Sequence, residues 1–419
     1  MAASRPSDGY TAPMTELPIP IGVSALCQMA FDGTDLNPLL GRLLDRAIAN
    51  PEDAATLLDL ATVAQIQGRF DDYQTLQAGA LKGSRAFRRP PDTPFGEPLR
   101  LLALFAPASA RGRNTFMNNT PLEFLLEGSN ISLDIVYVGA NEEARCWPEH
   151  DVLFVAADET EDNHPVLRRI ARSTSNWHRP ILNAPMNISR LTRTGSWQIL
   201  NTAPGIFIPF TRYADRDTLE GVAEGRCDLS SPSGSLGFPI IVRPVWSHAG
   251  SGLERIDHAS TLASYLGRRP DNEFFISAFI DYRSDDGLFR KYRVALIGGK
   301  AYAVHLAISQ NWVVHYLTAD MKCDSRKRDE EARFMGTFDT DFGERHAAAF
   351  SVIARRTALD YLIVDCGETR DGQLLVFEIG TGMIVHSMDP PDIFPYKRTQ
   401  MEKVFRAFQG MLFAAAKQH

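Results

Sequence analysis

The stretch Tyr361–His386, YLIVDCGETRDGQLLVFEIGTGMIVH, constrains this chain more than any other. Two apolar runs, Tyr361–Val364 and Leu374–Phe377, flank Asp371-Gly372, a dipeptide that favours positive φ and therefore a two-residue β-hairpin turn. Counting outward from that turn sets Asp365 opposite Glu378, with both side chains on one face. Cβ atoms of such a pair sit about 4.5–5.5 Å apart and like charges there destabilise a sheet, so a positive group should lie between them. A divalent metal is the simplest candidate. Oxygen ligands completed by water and phosphate suit Mg²⁺ better than zinc, and no Cys/His cluster accompanies them. A hairpin whose acids only reach solvent would carry the same pattern.

A chain of 419 residues with 44% hydrophobic content can bury a large core and form two or three domains. A net charge of −7 and a pI near 5.8, with no basic stripe, argue against nucleic-acid binding. Cysteines 27, 146, 227, 323 and 366 are odd in number and lack metal spacing, which fits free thiols in a reducing compartment. No apolar segment near the N-terminus is long enough for a signal peptide or a membrane span, so a cytoplasmic location without membrane contact is expected.

In chain order, residues 1–35 carry scattered proline and glycine (Pro6, Gly9, Pro13, Pro18, Pro20) and read as a tail. Helical periodicity begins at Asn37, and the segment NPEDAATLLDLATVAQIQGRFDDYQTLQAGAL resembles one tetratricopeptide unit. One unit cannot bury its faces alone, so it should cap the adjacent domain; docking a protein partner or a second copy of the chain is the other use of such helices. Arg88–Pro98 is proline-rich and reads as a linker. Strands Leu99–Ala106, Leu133–Val138 and Asp151–Ala156 alternate with helical pattern, as in a parallel α/β sheet. The loop Ala108–Thr120, with Arg111, Gly112, Arg113 and Asn114, is placed where such sheets hold an acidic ligand.

A second block is FPIIVRPVWSHAGSGLERI, Phe238–Ile256. A buried strand leads to Arg243, which Pro244 keeps extended. The loop Ser247, Gly250, Ser251, Gly252 then lets backbone N–H groups approach an anion. Glu273–Tyr282 is a further strand, and Phe289–Ile297 pairs with Ala301–Ala307 across Gly298-Gly299. Arg293 lies among Val and Ala, where a charge needs a phosphate or carboxylate partner. His305, Trp312 and His315 follow, each more often structural than catalytic. Lys322–Arg333 is a mixed charge run that reads as a solvated helix start.

Taken in order, IVRP, a glycine loop, EFFISAFI, KYRVALIGGK and VDC…FEIGTG resemble the ATP-grasp ligases, over approximately Leu99–His419. The resemblance implies an α/β ATP-grasp fold preceded by a short helical repeat-like segment. The expected parts are a tail at 1–35, helices and linker at 36–95, an N-terminal α/β domain at 96–200, a lid at 201–305 and a central subdomain with the metal site at 306–419. It implies ATP and Mg²⁺ as cofactors and an ATP-dependent carboxylate–amine ligation through an acyl phosphate. Arg243 would stand where the family usually has a lysine on the α/β-phosphates, with Arg193 as the preceding nucleotide cation. Ser247, Gly250, Ser251 and Gly252 would cover the phosphates. The backbone of Ser277, Ala278, Phe279 and Ile280 would read adenine, with Asp281 toward the ribose. Arg293 would hold the transferred phosphate as a catalytic residue, with His305 as a second catalytic candidate. Asp365 and Glu378 would be magnesium ligands, while the family's third ligand, an asparagine, is replaced by Gly380. That departure favours one alternative, a degenerate ATP-binding module; a second alternative is an adaptor in which the helical segment docks a partner.

Overall fold

The computed structural model describes residues 16–108, 118–140, 147–231, 234–245, 247 and 250–418. Its fold is mixed α/β, with sheets of five, four and five strands and helices packed against them. The basic loop expected at Arg111–Asn114 falls outside the described residues.

Within the first 35 residues, part of the supposed tail is helix. Val23–Phe31 contains neither proline nor glycine and sinks Leu26 into a cluster with Leu36, Leu43, Leu60 and Val63. Two carboxylates hold its start: Asp59 accepts from the N–H groups of Ile21 and Gly22, and Glu123 accepts from the N–H of Ser24. Asn37–Ala49, Ala54–Ile66 and Phe70–Gly83 follow as helices. Asp53 caps the middle one by accepting from Thr56 N–H at 3.1 Å. Ala54, Leu58, Ala80 and Leu81 pack into the core of the first sheet, so this pair of helices covers that sheet.

The expected linker is also partly ordered into the fold. Ala86–Arg89 is an antiparallel edge strand on Ile131–Tyr137, with Phe87 buried. Proline begins only at Pro90, so four residues before it keep their N–H groups for pairing. Leu99–Phe105 lies parallel to Ile131–Tyr137 on one side and Val152–Val155 on the other, the order expected of a right-handed α/β unit.

The second sheet is antiparallel: Glu254–Ile256, Ile240–Pro244, Glu273–Ala278 and Thr211–Asp215, in that order. Arg216–Ala223 and Ala259–Gly267 contribute Leu219, Leu262 and Tyr265 to its separate core. The third sheet runs Lys300–Ser309, Phe289–Ile297, Tyr361–Glu368, Leu374–Gly380, Ile206–Phe207. Its core is continuous with that of the first sheet through residues such as Phe154, Tyr361 and Phe408.

The turn chemistry of the key hairpin differs from expectation. Thr369 N–H bonds to Gln373 O at 3.0 Å and Gly372 N–H to Thr369 O at 2.9 Å, so the loop is one residue longer than the two-residue turn. Gly372, at φ 83°, supplies the left-handed residue that such three-residue loops need. Left alone, this would move Asp365 out of register. A bulge between Asp365 and Cys366, with Phe377 as the extra residue, restores it, and Asp365 pairs with Glu378 after all.

Candidate active site

A single row of residues crosses the third sheet. His305 pairs with Arg293, Arg293 with Asp365, and Asp365 with Glu378. Both bulges of this sheet, at Arg293/Val294 and Asp365/Cys366, fall on the row. Bulges re-aim side chains, and here they bring charged groups from adjacent strands to one face.

Asp365, 2% exposed, is at the centre. Arg293 donates from Nε to Oδ1 at 2.7 Å and from Nη2 to Oδ2 at 2.9 Å, a bidentate fork. Lys291 Nζ stands 2.7 Å from Oδ2. Burial alone would raise the Asp365 pKa, but Arg293 and Lys291 outweigh it and hold the carboxyl far below the usual range. Arg293 also donates to Ile384 O at 3.1 Å, which ties the loop after the hairpin to the same row. Thus the partner expected for Arg293 is a carboxylate of the protein itself.

Glu378 is half-exposed and pairs with Arg193 Nη2 at 2.9 Å. Arg193 opens the helix Arg193–Leu200, whose N-cap Thr192 accepts from Gly195 N–H. Arg243 is on the neighbouring antiparallel sheet and has no carboxylate partner among the described residues. Its Nε reaches Ser247 Oγ at 3.3 Å and its Nη2 donates to Ser247 O. Burial, then the nearby charge of Arg193, pushes its pKa down to about 9. A guanidinium so placed favours an incoming anion, because an anion would restore the charged form's stabilisation.

The glycine loop lies beside it. Gly250 and Gly252 have φ of 78° and 68°, and a Cβ on Gly252 would meet the Arg269 guanidinium at 2.7 Å and Pro244 Cδ at 2.9 Å. Glycine is therefore required at 252 for the loop to fold back on its own strand, and Tyr265 Oη pins it by donating to Gly252 O. Ser251 is part of the same turn.

The strand Glu273–Ala278 carries Ser277 and Ala278, and Phe279 and Ile280 follow it into the connection between the sheets. Phe279 packs edge-on against Trp312, 5.5 Å between ring centres, with Arg255 4.2 Å above its ring. Asp281 does not stand free toward a ribose. Arg283 grips it at 2.6 and 2.9 Å, Arg370 lies 3.5 Å away, and these cations lower its pKa to about 2.

His305 stacks on Tyr316, with ring centres 4.6 Å apart, and burial with the charges of Arg293 and Lys397 pushes its pKa well down, so it is neutral. His315 Nδ1 is buried with no hydrogen-bond partner, close enough to Lys291 and Arg293 for both to lower its pKa after burial has done so. Behind them Glu331 accepts from Leu306 N–H, Tyr316 Oη and Tyr396 Oη and pairs with Lys397, which also pairs with Asp389. Glu331 is fully buried, so the charge run Lys322–Arg333 is not simply a solvated helix start.

A magnesium ion shared by Asp365 and Glu378 does not fit this arrangement. Both Asp365 oxygens are taken by Arg293 and Lys291, and an ion would have to displace the ammonium. Among the described residues no group of three or more His, Cys, Asp or Glu side chains converges as a metal site. Gly380 offers no side-chain oxygen; a Cβ there would meet only ordinary contacts, at 3.6 Å or more. Gly382 is different, since its Cβ would lie 2.4 Å from Asp158 Oδ2. Asp158, at the end of Val152–Val155, also accepts from Thr381 N–H at 3.0 Å and Thr381 Oγ1 at 2.7 Å. It therefore fixes the loop that follows Glu378 onto the first sheet.

Sequence reasoning passed over Lys291 as a site residue, though its spacing of two from Arg293 in KYRV puts both on one strand face. Asp158 and Glu331 had no comparable signal, since their side-chain partners are 223 and 15 or more residues away.

No family model and no curated protein matches the chain, so neither the tetratricopeptide-like segment nor the ligase region is identified that way. Among solved structures, it is similar to a RimK-domain ATP-grasp protein from Sphaerobacter thermophilus at 13% identity and TM-score 0.42, covering 75% of this chain and 99% of that one. It is similar to a D-alanine–D-alanine ligase from Bacillus anthracis complexed with ATP at 14% identity and TM-score 0.41, covering 77% and 99%. A VanG D-Ala:D-Ser ligase from Enterococcus faecalis gives 13% identity and TM-score 0.43, covering 75% and 99%.

Proposed function

We propose that the chain is an ATP-dependent carboxylate–amine ligase with an ATP-grasp fold. The observation that carries this reading is Arg243, a part-buried cation with no carboxylate ion-pair partner among the described residues, placed beside a loop in which Gly252 must be glycine. With Arg193, Lys291 and Arg293 it gives a face where cations outnumber the carboxylates Asp365 and Glu378. Such a face suits a polyphosphate.

In this reading the nucleotide's phosphates lie between the glycine loop and the third sheet, and its base lies along Ser277–Ile280 beside Phe279. A substrate carboxylate oxygen attacks the γ-phosphorus as the bond to the bridging oxygen of ADP breaks. The amine nitrogen then bonds to the carbonyl carbon as the carbon–oxygen bond to phosphate breaks, releasing phosphate and a proton. Arginines aimed at the transferring group neutralise developing charge without rearranging, which is the main protein contribution to phosphoryl transfer. Glu378, half-exposed on this row, would be the residue to help hold any magnesium carried by the nucleotide.

Release of ADP from ATP should depend on adding both a carboxylate and an amine, and pooled amino acids or peptides with mass detection of dehydrative products would identify the pair. ADP release indifferent to both additions refutes ligation. A second reading, nucleotide binding without ligation, is favoured by Gly380 in place of the asparagine and by the engagement of Asp365. It predicts ATP binding with no turnover under any substrate pool.

A further inference from the structure

Lys291 and Arg293 stand two apart on the strand Phe289–Ile297 and close on the same buried carboxylate from one face. Three N–H donors thereby occupy both oxygens of Asp365, the residue on which a bridging divalent ion would depend. An ion bridging this carboxylate to a phosphate supplies positive charge at that point. Here the ammonium of Lys291 already supplies it, tethered to the chain. The same face keeps Arg193 on Glu378 and leaves Arg243 without an ion-pair partner among the described residues, so the four cations stay in excess of the two acids. His315 Nδ1, buried and unpartnered, adds a polar atom near Lys291 and Arg293 that an anion's oxygen would satisfy.

We propose that Lys291 takes the place of a divalent metal ion at Asp365, so that the chain binds a nucleoside polyphosphate directly, without a metal bridge there. This rests on the nucleotide-site reading above, and the test separates the two.

A non-hydrolysable ATP analogue and inorganic tripolyphosphate are titrated calorimetrically into the full chain, in excess EDTA and in excess magnesium. The wild type should bind the analogue in EDTA about as tightly as in magnesium. Lys291→Met should lose about ten- to a hundredfold in EDTA, as expected for one charge-assisted contact, and recover in part on adding magnesium, because the place of the ammonium on Asp365 Oδ2 is vacated while the Arg293 fork remains. Lys291→Arg, which keeps the charge, should still bind in EDTA. Wild-type binding that vanishes in EDTA and returns with magnesium overturns the proposal, with no variant needed. Unchanged binding by a folded Lys291→Met in EDTA also overturns it. Tripolyphosphate binding that is weakened by Lys291→Met, with no analogue binding in either buffer, overturns the nucleotide reading but upholds Lys291 as the anion's counter-charge. Failure to bind either probe overturns both.

Discussion

Asp158 offers a direct test of how the two larger sheets are joined. Its carboxyl lies part-buried just beyond Val152–Val155, and desolvation there, only partly offset by the hydrogen bonds from Thr381, raises its pKa from 3.8 to about 6, with the charge of Glu159 adding to the rise. The folded protein therefore holds the Asp158 proton more tightly than the unfolded chain does. This contribution is fully present below the unfolded pKa and is lost as pH rises through the folded one. Roughly two units at 1.36 kcal/mol each make the ionised group about 3 kcal/mol costly to bury at neutral pH, as an upper figure. Asparagine resembles the protonated acid, and its carbonyl can still accept from Thr381. Asp158→Asn should then stabilise the protein at pH 7.5 by up to about 3 kcal/mol and change it little at pH near 4. Urea denaturation at several pH values, followed by tryptophan fluorescence, measures the difference. A variant less stable than wild type at pH 7.5, or a difference that does not change with pH, would refute the reasoning and mean that the charge itself holds the Thr381 loop.

Asp59 carries the same signature in the helical segment, its pKa raised to about 6 by burial, so the stability of Asp59→Asn relative to wild type should rise from pH 4 to 7 in the same denaturation series, on top of a pH-independent loss of one of the two N–H bonds from Ile21 and Gly22. Arg243→Ala should weaken nucleotide binding by roughly ten- to a hundredfold, the worth of one charge-assisted contact, and Arg243→Lys should recover part of it in calorimetry. Gly380→Ala should fold with close to wild-type stability, whereas Gly382→Ala should cost about 1–3 kcal/mol because its Cβ would press into Asp158; paired melting curves that rank them the other way sink the steric argument. Removing residues 1–84, which spares the strand Ala86–Arg89, should expose the patch that Ala54, Leu58, Ala80 and Leu81 cover and reduce solubility, with nucleotide binding kept in any folded fraction; a soluble truncation that binds nucleotide but loses one specific partner would reject the capping role.

Local patterning was legible where it alone decides structure. The strands Leu99–Phe105 and Ile240–Pro244 are mostly apolar runs, and Gly298-Gly299, both with positive φ, close the hairpin of Phe289–Ile297 with Lys300–Ser309 as a two-residue loop should. What escaped notice depends on distant partners. Val23–Phe31 is a helix of nine residues, too short to be stable on its own, and becomes one by burying Leu26 and by resting its first turn on Asp59 and Glu123. Ala86–Arg89 looks like the opening of a proline-rich linker until Ile131–Tyr137 offers an edge. Glu331 sits in a charge run that reads as solvated, and only the arrival of Lys397, Tyr316 and Tyr396 makes its burial tolerable.

The hairpin itself shows how a correct pairing can follow from an incomplete account of the turn. Aspartate and glycine at 371 and 372 signal reversal, but not whether two or three residues close it. The longer loop shifts the ladder by one, the bulge at Asp365/Cys366 shifts it back, and Asp365 again faces Glu378. The repulsion between these acids was correctly expected to demand positive charge, yet the identity of that charge was not fixed by the pair. A mobile divalent ion and a fixed set of cations both satisfy the electrostatics. The choice is made by the adjacent strand, where Arg293 is drawn opposite Asp365 by register and Lys291 shares its face by the period of two. Once both are present, desolvation works against adding a metal at that carboxylate, because the ion must strip a bonded ammonium from a buried oxygen and leave Lys291 without its partner. On the proposed reading the same two acids belong to an anion-binding face rather than to a cation site, a distinction that rests on Lys291, two residues from Arg293.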